Sequence, residues 1–532
     1  MRGSSAGGFP TTAVLAFFGK VFGLCPADDS PSLNIDGAGA HYRGGDTGCS
    51  GSSTDRFMNN QNLNAKPWRP DVSSNRGRET ASAIVETFKK RTRGSGEWDA
   101  RAKRTMPGGD TRASSYYTPY PAYMVRGDGC HLYDYDENKY IDFLNNYTSL
   151  IHGHGHPSTV SAIQEQAVRG TVLGSAAEVT VEHAEMLVDR VPSLESVRYC
   201  NSGTEATHLA MRAARAFMGR DVIVKMDGGY HGSHDYVQVN VQADTESEGL
   251  PRPRLTTRGV PSAVLEDVRV VPFNDLNALE EVLRAESDEI AAIILEPVLG
   301  SGGGVEPEAG YLQGVRQLAD TYGVLLIFDE ILTFRTDLGG VQAAIGVTPD
   351  LTSIAKFIGG GLPLGAFGGR EEIMAPFDPT HAQTIPHNGT FNGNNITMAA
   401  GIATMKGYGA DEVARINRLG QRLKEGFNRA FGAKGVNLRA VGEGSIIRVH
   451  WSQDRIRNAR EGALAQSAAE ELPRLLHMEL MNRDIFSAPR CQFAISTPMT
   501  EGEVDAAVEA MARSLEIVMP YIEEQTPHLC RT

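Results

Sequence analysis

The chain has 532 residues, 41% hydrophobic and 22% charged, enough to bury a large core, which excludes a wholly disordered chain or a fibre. Lys and Arg total 51 against 65 Asp and Glu, a formal charge of -14 without a long basic run, so nucleic acid is not expected as the main partner. No apolar stretch reaches the ~18 residues of a membrane helix, and the six cysteines are scattered without a C-x-x-C pair. That spacing speaks against a zinc ribbon or disulfide framework and for a reducing compartment, the cytoplasm.

Residues 1–78 are rich in Gly, Ser, Asp and Asn without a period and read as a disordered extension. A short apolar run, Ala13 to Gly19, lies between Arg2 and Lys20, with no acid before Asp28. It makes organelle import, mitochondrial included, the alternative to a cytoplasmic location. A helix is expected over Glu79 to Arg91, followed after Tyr117 by short strands with turns in YMVRGDG and HLYDYDENKYIDF.

From about Pro157 strands and helices alternate. β-Branched runs occur at Val197 to Cys200, Val222 to Met226, Val268 to Pro272, Ile290 to Leu295 and Val324 to Phe328, separated by helical patterns such as Glu205 to Met218 and Glu308 to Tyr322. Such a pattern gives an α/β fold with a mainly parallel sheet covered on both faces, which binds ligands beyond the carboxyl ends of its strands. After about Pro376 come a helix-rich stretch (Met398 to Phe431), strands around Ser445 to Trp451 and Phe493 to Ser496, and a last helix from Glu501. The expected division is a large domain over 157–375, a smaller α+β domain from 79–156 with 376–524, and a tail over 525–532.

Three features carry chemistry. In VRYCNSGTEA, Ser202 and Glu205 have capping-box spacing, so a helix starts where Gly203, Thr204 and the helix dipole can hold a phosphate; a plain helix cap is the other reading. In IFDE, Asp329 ends an apolar strand on the ligand side of the sheet, unless it is a solvated loop acid. In SIAKFIGGG, Lys356 lies between apolar residues and glycines, where desolvation favours the neutral amine that condenses with a carbonyl; a surface lysine is the alternative. Jointly, a phosphate cradle, a carboxylate and a desolvated lysine meet the needs of pyridoxal 5'-phosphate.

With these residues in place the chain resembles the class III aminotransferases, fold type I enzymes using pyridoxal phosphate, in the branch of glutamate-1-semialdehyde aminomutase and the β-amino-acid aminotransferases. The resemblance runs from about Thr105 to Glu524 through MPGGDTR, NSGTEA, GGYHG, LEPV, FDEILT, PDLTSIAKFIGGGLPLGAFGGR and HNGTFNGN. It implies that Lys356 forms the Schiff base and moves the substrate proton, and that Asp329 keeps the pyridine nitrogen protonated. It places Tyr230 and Ile331 on the two ring faces, Ser202, Gly203 and Thr204 on the phosphate, His231 near the cofactor and Glu296 by its hydroxyl. Gly389 and Thr390 would reach the phosphate of a neighbouring subunit, which implies a homodimer with shared sites.

DEILTFRTDLGG is closer in spacing to the β-phenylalanine-type enzymes than to the aminomutase branch, and Arg112 and Arg490 match positions that recognise carboxylate there. A guanidinium fork suits a carboxylate, although structural ion pairs are the other reading of both. The resemblance therefore implies transfer of an amino group from a β-amino acid, or another carboxylate-bearing amine, to a 2-oxo acid. An intramolecular aminomutase and a catalytically silent cofactor-binding protein are the alternatives. No metal site is expected: His152, His154 and His156 in HGHGHP lack the i, i+4 spacing of a helix-borne zinc pair.

Overall fold

The helix expected over Glu79 to Arg91 forms and already includes Arg76, one turn before its sequence signal. The computed structural model describes residues 76–531, and helix α1 (Arg76–Arg91) buries Ala81, Ile84 and Phe88, the three-to-four spacing of one helical face. Arg76 to Arg78 thus belong to a helix rather than to the expected extension, the rest of which lies outside the described residues. Strands β1 (Met124–Asp128), β2 (His131–Asp134) and β3 (Lys139–Asp142) follow as an antiparallel meander.

The central sheet contains β4 (Ser196–Cys200), β5 (Val222–Met226), β6 (Val268–Val271), β7 (Ile290–Leu295), β8 (Leu325–Asp329), β9 (Leu351–Ala355) and β10 (Gly365–Gly369), in the order β4-β10-β9-β8-β7-β5-β6. Strand side chains alternate between faces, and the core divides accordingly. Ile223, Ala292, Ile294, Leu325 and Ile327 pack with Ala206, Leu209, Ala210 and Ala213 of helix α2 (Gly203–Met218). Val224, Met226, Ile293, Leu295, Leu326 and Phe328 pack on the other face with Leu312, Val315 and Ala319 of helix α3 (Tyr311–Tyr322). Each Val, Leu, Ile, Met or Phe side chain among these contributes about 1.5–3 kcal/mol by leaving water.

Strand β10 is antiparallel to both β9 and β4. Its sequence, GAFGG, carries little strand signal because glycine is depleted in sheets. Space explains the composition: a Cβ on Gly365 would lie 2.1 Å from the Ser202 carbonyl oxygen, and one on Gly369 2.1 Å from the Asp350 oxygen. Gly365→Ala is therefore expected to destabilise the protein by about 1–3 kcal/mol through overpacking against backbone. Denaturant unfolding measures this, and unchanged stability would show that β10 and the Ser202 turn can separate freely.

Beyond the central sheet, β11 (Arg439–Val441), β12 (Ile446–His450) and β14 (Gln492–Ala494) form a three-stranded antiparallel sheet. Strand β13 (Ile485–Phe486) joins β3 in parallel, Ile485 opposite Ile141, so the segments flanking the central sheet in sequence share one sheet. Helix α4 (Glu501–Gln525) starts with a capping box between Thr500 and Glu503. The residues after it are docked, with Arg531 N donating to Gly435 O at 2.7 Å, where a tail was expected. Among the described residues no helix is long and apolar enough to cross a membrane.

Candidate active site

Because β10 reverses between β9 and β4, the carboxyl ends of β4, β5, β7, β8 and β9 lie at one edge of the sheet. Asp329 ends β8, and it is buried, with Oδ1 accepting from Ile331 N at 3.1 Å. Its Oδ2 meets His231 Nδ1 at 2.8 Å. A carboxylate only accepts, so the imidazole donates through Nδ1. Burial disfavours the imidazolium and Asp329 opposes that effect, while His231 Nε2 is buried without a partner. His231, expected near the cofactor, is thus the immediate support of the carboxylate.

Lys356 follows β9 with φ at 63°, a left-handed conformation that a residue with a side chain adopts at a cost. Its backbone is held there by the close β9–β10 pairing on one side and the Phe357-to-Gly360 turn on the other. Burial pushes the amine below the ordinary lysine range; Asp329 and Glu296 oppose this and Arg335 adds to it. Lys356 as a whole is half-buried.

Glu296, just beyond β7, accepts from Tyr230 N at 3.1 Å and Gly300 N at 3.2 Å. Burial first, then the negative charge of Asp329, pushes its carboxyl up to about 8, against the two amides and Lys356. The Tyr230 ring is 44% exposed, an unusual display of aromatic surface. Its loop is anchored by Lys225, whose buried Nζ donates to Val239 O at 2.7 Å and Gly229 O at 3.0 Å, with burial pushing the ammonium down to about 8.

At the end of β4, Ser202 caps α2 by accepting from Glu205 N at 3.2 Å, and Glu205 answers by accepting from Asn201 N, one residue before the position a capping box uses. The first-turn amides of Gly203 and Thr204 have no intrahelical acceptor. Glycine is required around them: a Cβ on Gly203 would lie 2.7 Å from Ile331 Cδ1, and one on Gly232 2.6 Å from Thr204 Oγ1. Gly389 and Thr390 are exposed, and nearby Asn392 accepts from Asn201 Nδ2 at 2.9 Å, which brings their loop alongside this turn.

Arg112 is exposed and donates to Asn146 Oδ1 at 2.8 Å; Arg490 is half-buried. Their charges both favour ionisation of the Tyr147 phenol against its burial, and Arg490 acts likewise on Tyr230. Tyr147 is thus the group on which both arginines act, and Tyr230 is one on which Arg490 acts without Arg112. The three histidines of HGHGHP have separate contacts: His152 with Thr497 Oγ1 (2.8 Å) and Thr404 O (2.9 Å), His154 with Asp142 (2.7 Å), and His156 stacked on His152. Among the described residues, Cys130, His131 and Glu503 bring ligand-type atoms within 4.8 Å of one another, with Glu503 already engaged in the α4 cap.

Sequence reading passed over three buried cations, Lys225, Arg335 and Arg448. Arg335 donates to Ser445 Oγ and to the carbonyls of Thr148 and Ile495, and Tyr408 OH donates to its own carbonyl. A charged residue inside an apolar run reads as the solvent side of an element, and nothing in the run itself announces the carbonyls that receive these cations.

The model of the family Aminotransferase class-III matches residues 113–479, and the chain belongs to that family of pyridoxal-phosphate-dependent, fold type I aminotransferases. Glutamate-1-semialdehyde 2,1-aminomutase of Ignicoccus hospitalis is 38% identical over 427 residues, 78% of this chain and 97% of the relative. An omega-transaminase from Sphaerobacter thermophilus is 42% identical with a TM-score of 0.77, covering 80% of this chain and 98% of that one. A β-phenylalanine aminotransferase from Variovorax paradoxus is 32% identical with a TM-score of 0.76, covering 86% and 100%. The residues present fit the cofactor: a desolvated lysine, a buried carboxylate and the free amides of a helix start share one edge, around glycines whose Cβ atoms would fill the space.

Proposed function

We propose that the enzyme moves the amino group of a β-amino acid, or of another carboxylate-bearing amine, to a 2-oxo acid. The observation that carries this reading is the pair Arg112 and Arg490 gathered near Tyr147, with Arg490 also acting on Tyr230. Guanidinium forks bind carboxylates in two parallel hydrogen bonds. The similarity to the β-phenylalanine aminotransferase supports the same substrate class. Arg490→Ala is expected to raise KM for carboxylate-bearing amines by about 10- to 100-fold, the worth of a charged hydrogen bond, with little effect on neutral amines. Equal effects on both would remove Arg490 from carboxylate recognition.

Pyridoxal 5'-phosphate, when bound, supplies an electron-withdrawing ring that stabilises the carbanion left by loss of a substrate proton. The chain's own residues divide the remaining work. Lys356 Nζ, whose neutral form burial favours, would take the proton from the nitrogen-bearing carbon of the substrate and deliver it to the carbon that takes over the amino group. Asp329, oriented by His231 Nδ1, would supply the carboxylate for the ring nitrogen. The amides of Gly203 and Thr204 and the Thr204 hydroxyl would hold the phosphate, with Ser202 fixing the turn. Tyr230 and Ile331 would shield the ring, and Glu296 sets the Tyr230 backbone.

Gly389 and Thr390 are assigned to the phosphate of a second subunit, which makes the working unit a homodimer. Exposed apolar side chains support this, Phe391 in the loop itself and Val181 on helix Glu178–Arg190, to which Thr180 Oγ1 ties the loop by donating to Gly393 O at 3.4 Å. The division into a large domain (157–375) and a small one is part of the same reading.

An intramolecular aminomutase is the second reading, favoured by the names of relatives such as the Ignicoccus enzyme. Enzyme mixed with an amine donor and no acceptor separates them. Transfer yields one equivalent of deaminated product per active site and stops, whereas continued turnover identifies an aminomutase and overturns the proposal.

A further inference from the structure

Strand β12 lies in the three-stranded sheet, away from the strand ends that carry Asp329 and Lys356, yet two of its side chains reach the loop after β7. Arg448 and His450 are two apart and so share one face of the strand. Both are buried. Arg448 Nη1 donates to Gly300 O at 3.0 Å, and His450 Nε2 donates to Gly303 O at 2.7 Å.

The loop they grip is built to be gripped. Leu299 and Val305 bridge across its base, and Gly303 and Gly304 have φ of 128° and 70°, conformations that side chains resist. A Cβ on Gly300 would lie 2.2 Å from Leu332 Cδ2, and one on Gly304 would crowd Arg448 at 3.2 Å. Gly300 is thus held on both sides of its Cα, its N–H by Glu296 Oε2 at 3.2 Å and its carbonyl by Arg448 and by Gly304 N at 3.1 Å. Glu296 passes the constraint on through its other oxygen to Tyr230 N.

We propose that Arg448 is a positioning residue: from β12 it fixes Gly300, whose amide fixes Glu296, which in turn sets the backbone of Tyr230. Arg448 also faces Gln492 across the β12–β14 pairing, and Gln492 lies two residues beyond Arg490. The strand that holds the loop is therefore anchored to the one that follows the proposed carboxylate-binding arginine. The inference rests on the reading of Glu296 and Tyr230 as parts of the site.

Glu296 is faced by Asp329 from β8, Lys356 after β9, Lys225 from β5, Tyr230 from its loop, and Arg448 from β12. Two of these cations also secure its amide donors: Lys225 through the Gly229 carbonyl, in the same peptide unit as Tyr230 N–H, and Arg448 through the carbonyl of Gly300. Removing Arg448 takes a positive charge from the neighbourhood of the carboxylate and leaves the Gly300 carbonyl to Gly304 N alone, which loosens the hold on the Gly300 N–H; both effects disfavour the ionised form of Glu296.

The test compares Arg448→Met, Arg448→Lys and Glu296→Gln in the full chain, by steady-state kinetics and by hydrogen exchange of the cofactor-free protein. Arg448→Met should lower kcat about tenfold or more, leave the KM of the amine donor within about threefold, move the midpoint of the pH profile upward, and speed exchange over residues 299–305. Arg448→Lys, which keeps one donor, should recover part of each change. Unchanged exchange over 299–305, or a rise in KM with kcat and midpoint intact, would overturn the proposal, the latter marking Arg448 as a substrate contact. If Arg448→Met does not fold, Arg448→Lys alone decides by the same readouts. Glu296→Gln with normal kcat and pH profile would instead overturn the reading of the site itself.

Discussion

Lys356→Ala should reduce transamination by at least about 10³-fold, because it removes the amine proposed both to hold the cofactor and to carry the proton, and general acid–base catalysis alone contributes about 10²- to 10⁴-fold. Burial lowers the pKa of this amine while Asp329 and Glu296 limit the shift. The alanine variant should lose the visible absorbance of covalently held cofactor, and borohydride reduction of the wild-type enzyme should leave the cofactor mass on the peptide containing Lys356. Recovery of that mass on another lysine would place the attachment elsewhere and remove the centre of the proposed site. The left-handed backbone at this position gives a secondary expectation. Alanine relieves little of the strain there, so stability should change little while activity collapses.

His231→Ala should have the second largest effect, although His231 touches Asp329 rather than any reacting atom. The Asp329 Oδ2 to His231 Nδ1 bond is 2.8 Å, with both side chains buried. Removing the donor leaves a buried carboxylate oxygen unpaired, a cost of about 1.5–3 kcal/mol for a bond to a charged group. That corresponds to roughly 10- to 100-fold in kcat if the carboxylate's charge is what the chemistry needs. The variant should also bind pyridoxal phosphate more weakly in titrations of the cofactor-free protein. His231→Asn, which can donate from a similar distance, should recover part of both; equal loss in the two variants would point to packing rather than to the hydrogen bond.

Much of this site was legible because its parts are local in sequence. A strand followed by S-G-T-E starts a helix at Gly203, an apolar run ends at Asp329, and Lys356 follows PDLTSIA, each pattern fixed by residues a few positions apart. What was not legible depends on pairs distant in the chain. Nothing near His231 says that its ring meets a carboxylate 98 residues later. Strand β10 was missed because its glycines answer to the backbone of Ser202 and Asp350 rather than to strand propensity. Lys225, Arg335 and Arg448 were passed over for a related reason. Their charges are held by main-chain carbonyls, and carbonyls are present at every position in a sequence.

The place of β10 in the central sheet has a consequence for how the protein is made. Strand β4 borders the sheet through β10 alone, and about 160 residues of chain separate the two. On a ribosome, the segments bearing Ser202, Asp329 and Lys356 all emerge before the strand that joins β4 to its neighbours. A nascent chain stopped short of Gly365 therefore carries the reactive groups without a closed cradle for the phosphate, and long-range strand pairing of this kind is slow. Arrested chains ending before and after β10 should differ abruptly in their ability to retain pyridoxal phosphate, which would make cofactor capture a late event in the birth of the enzyme.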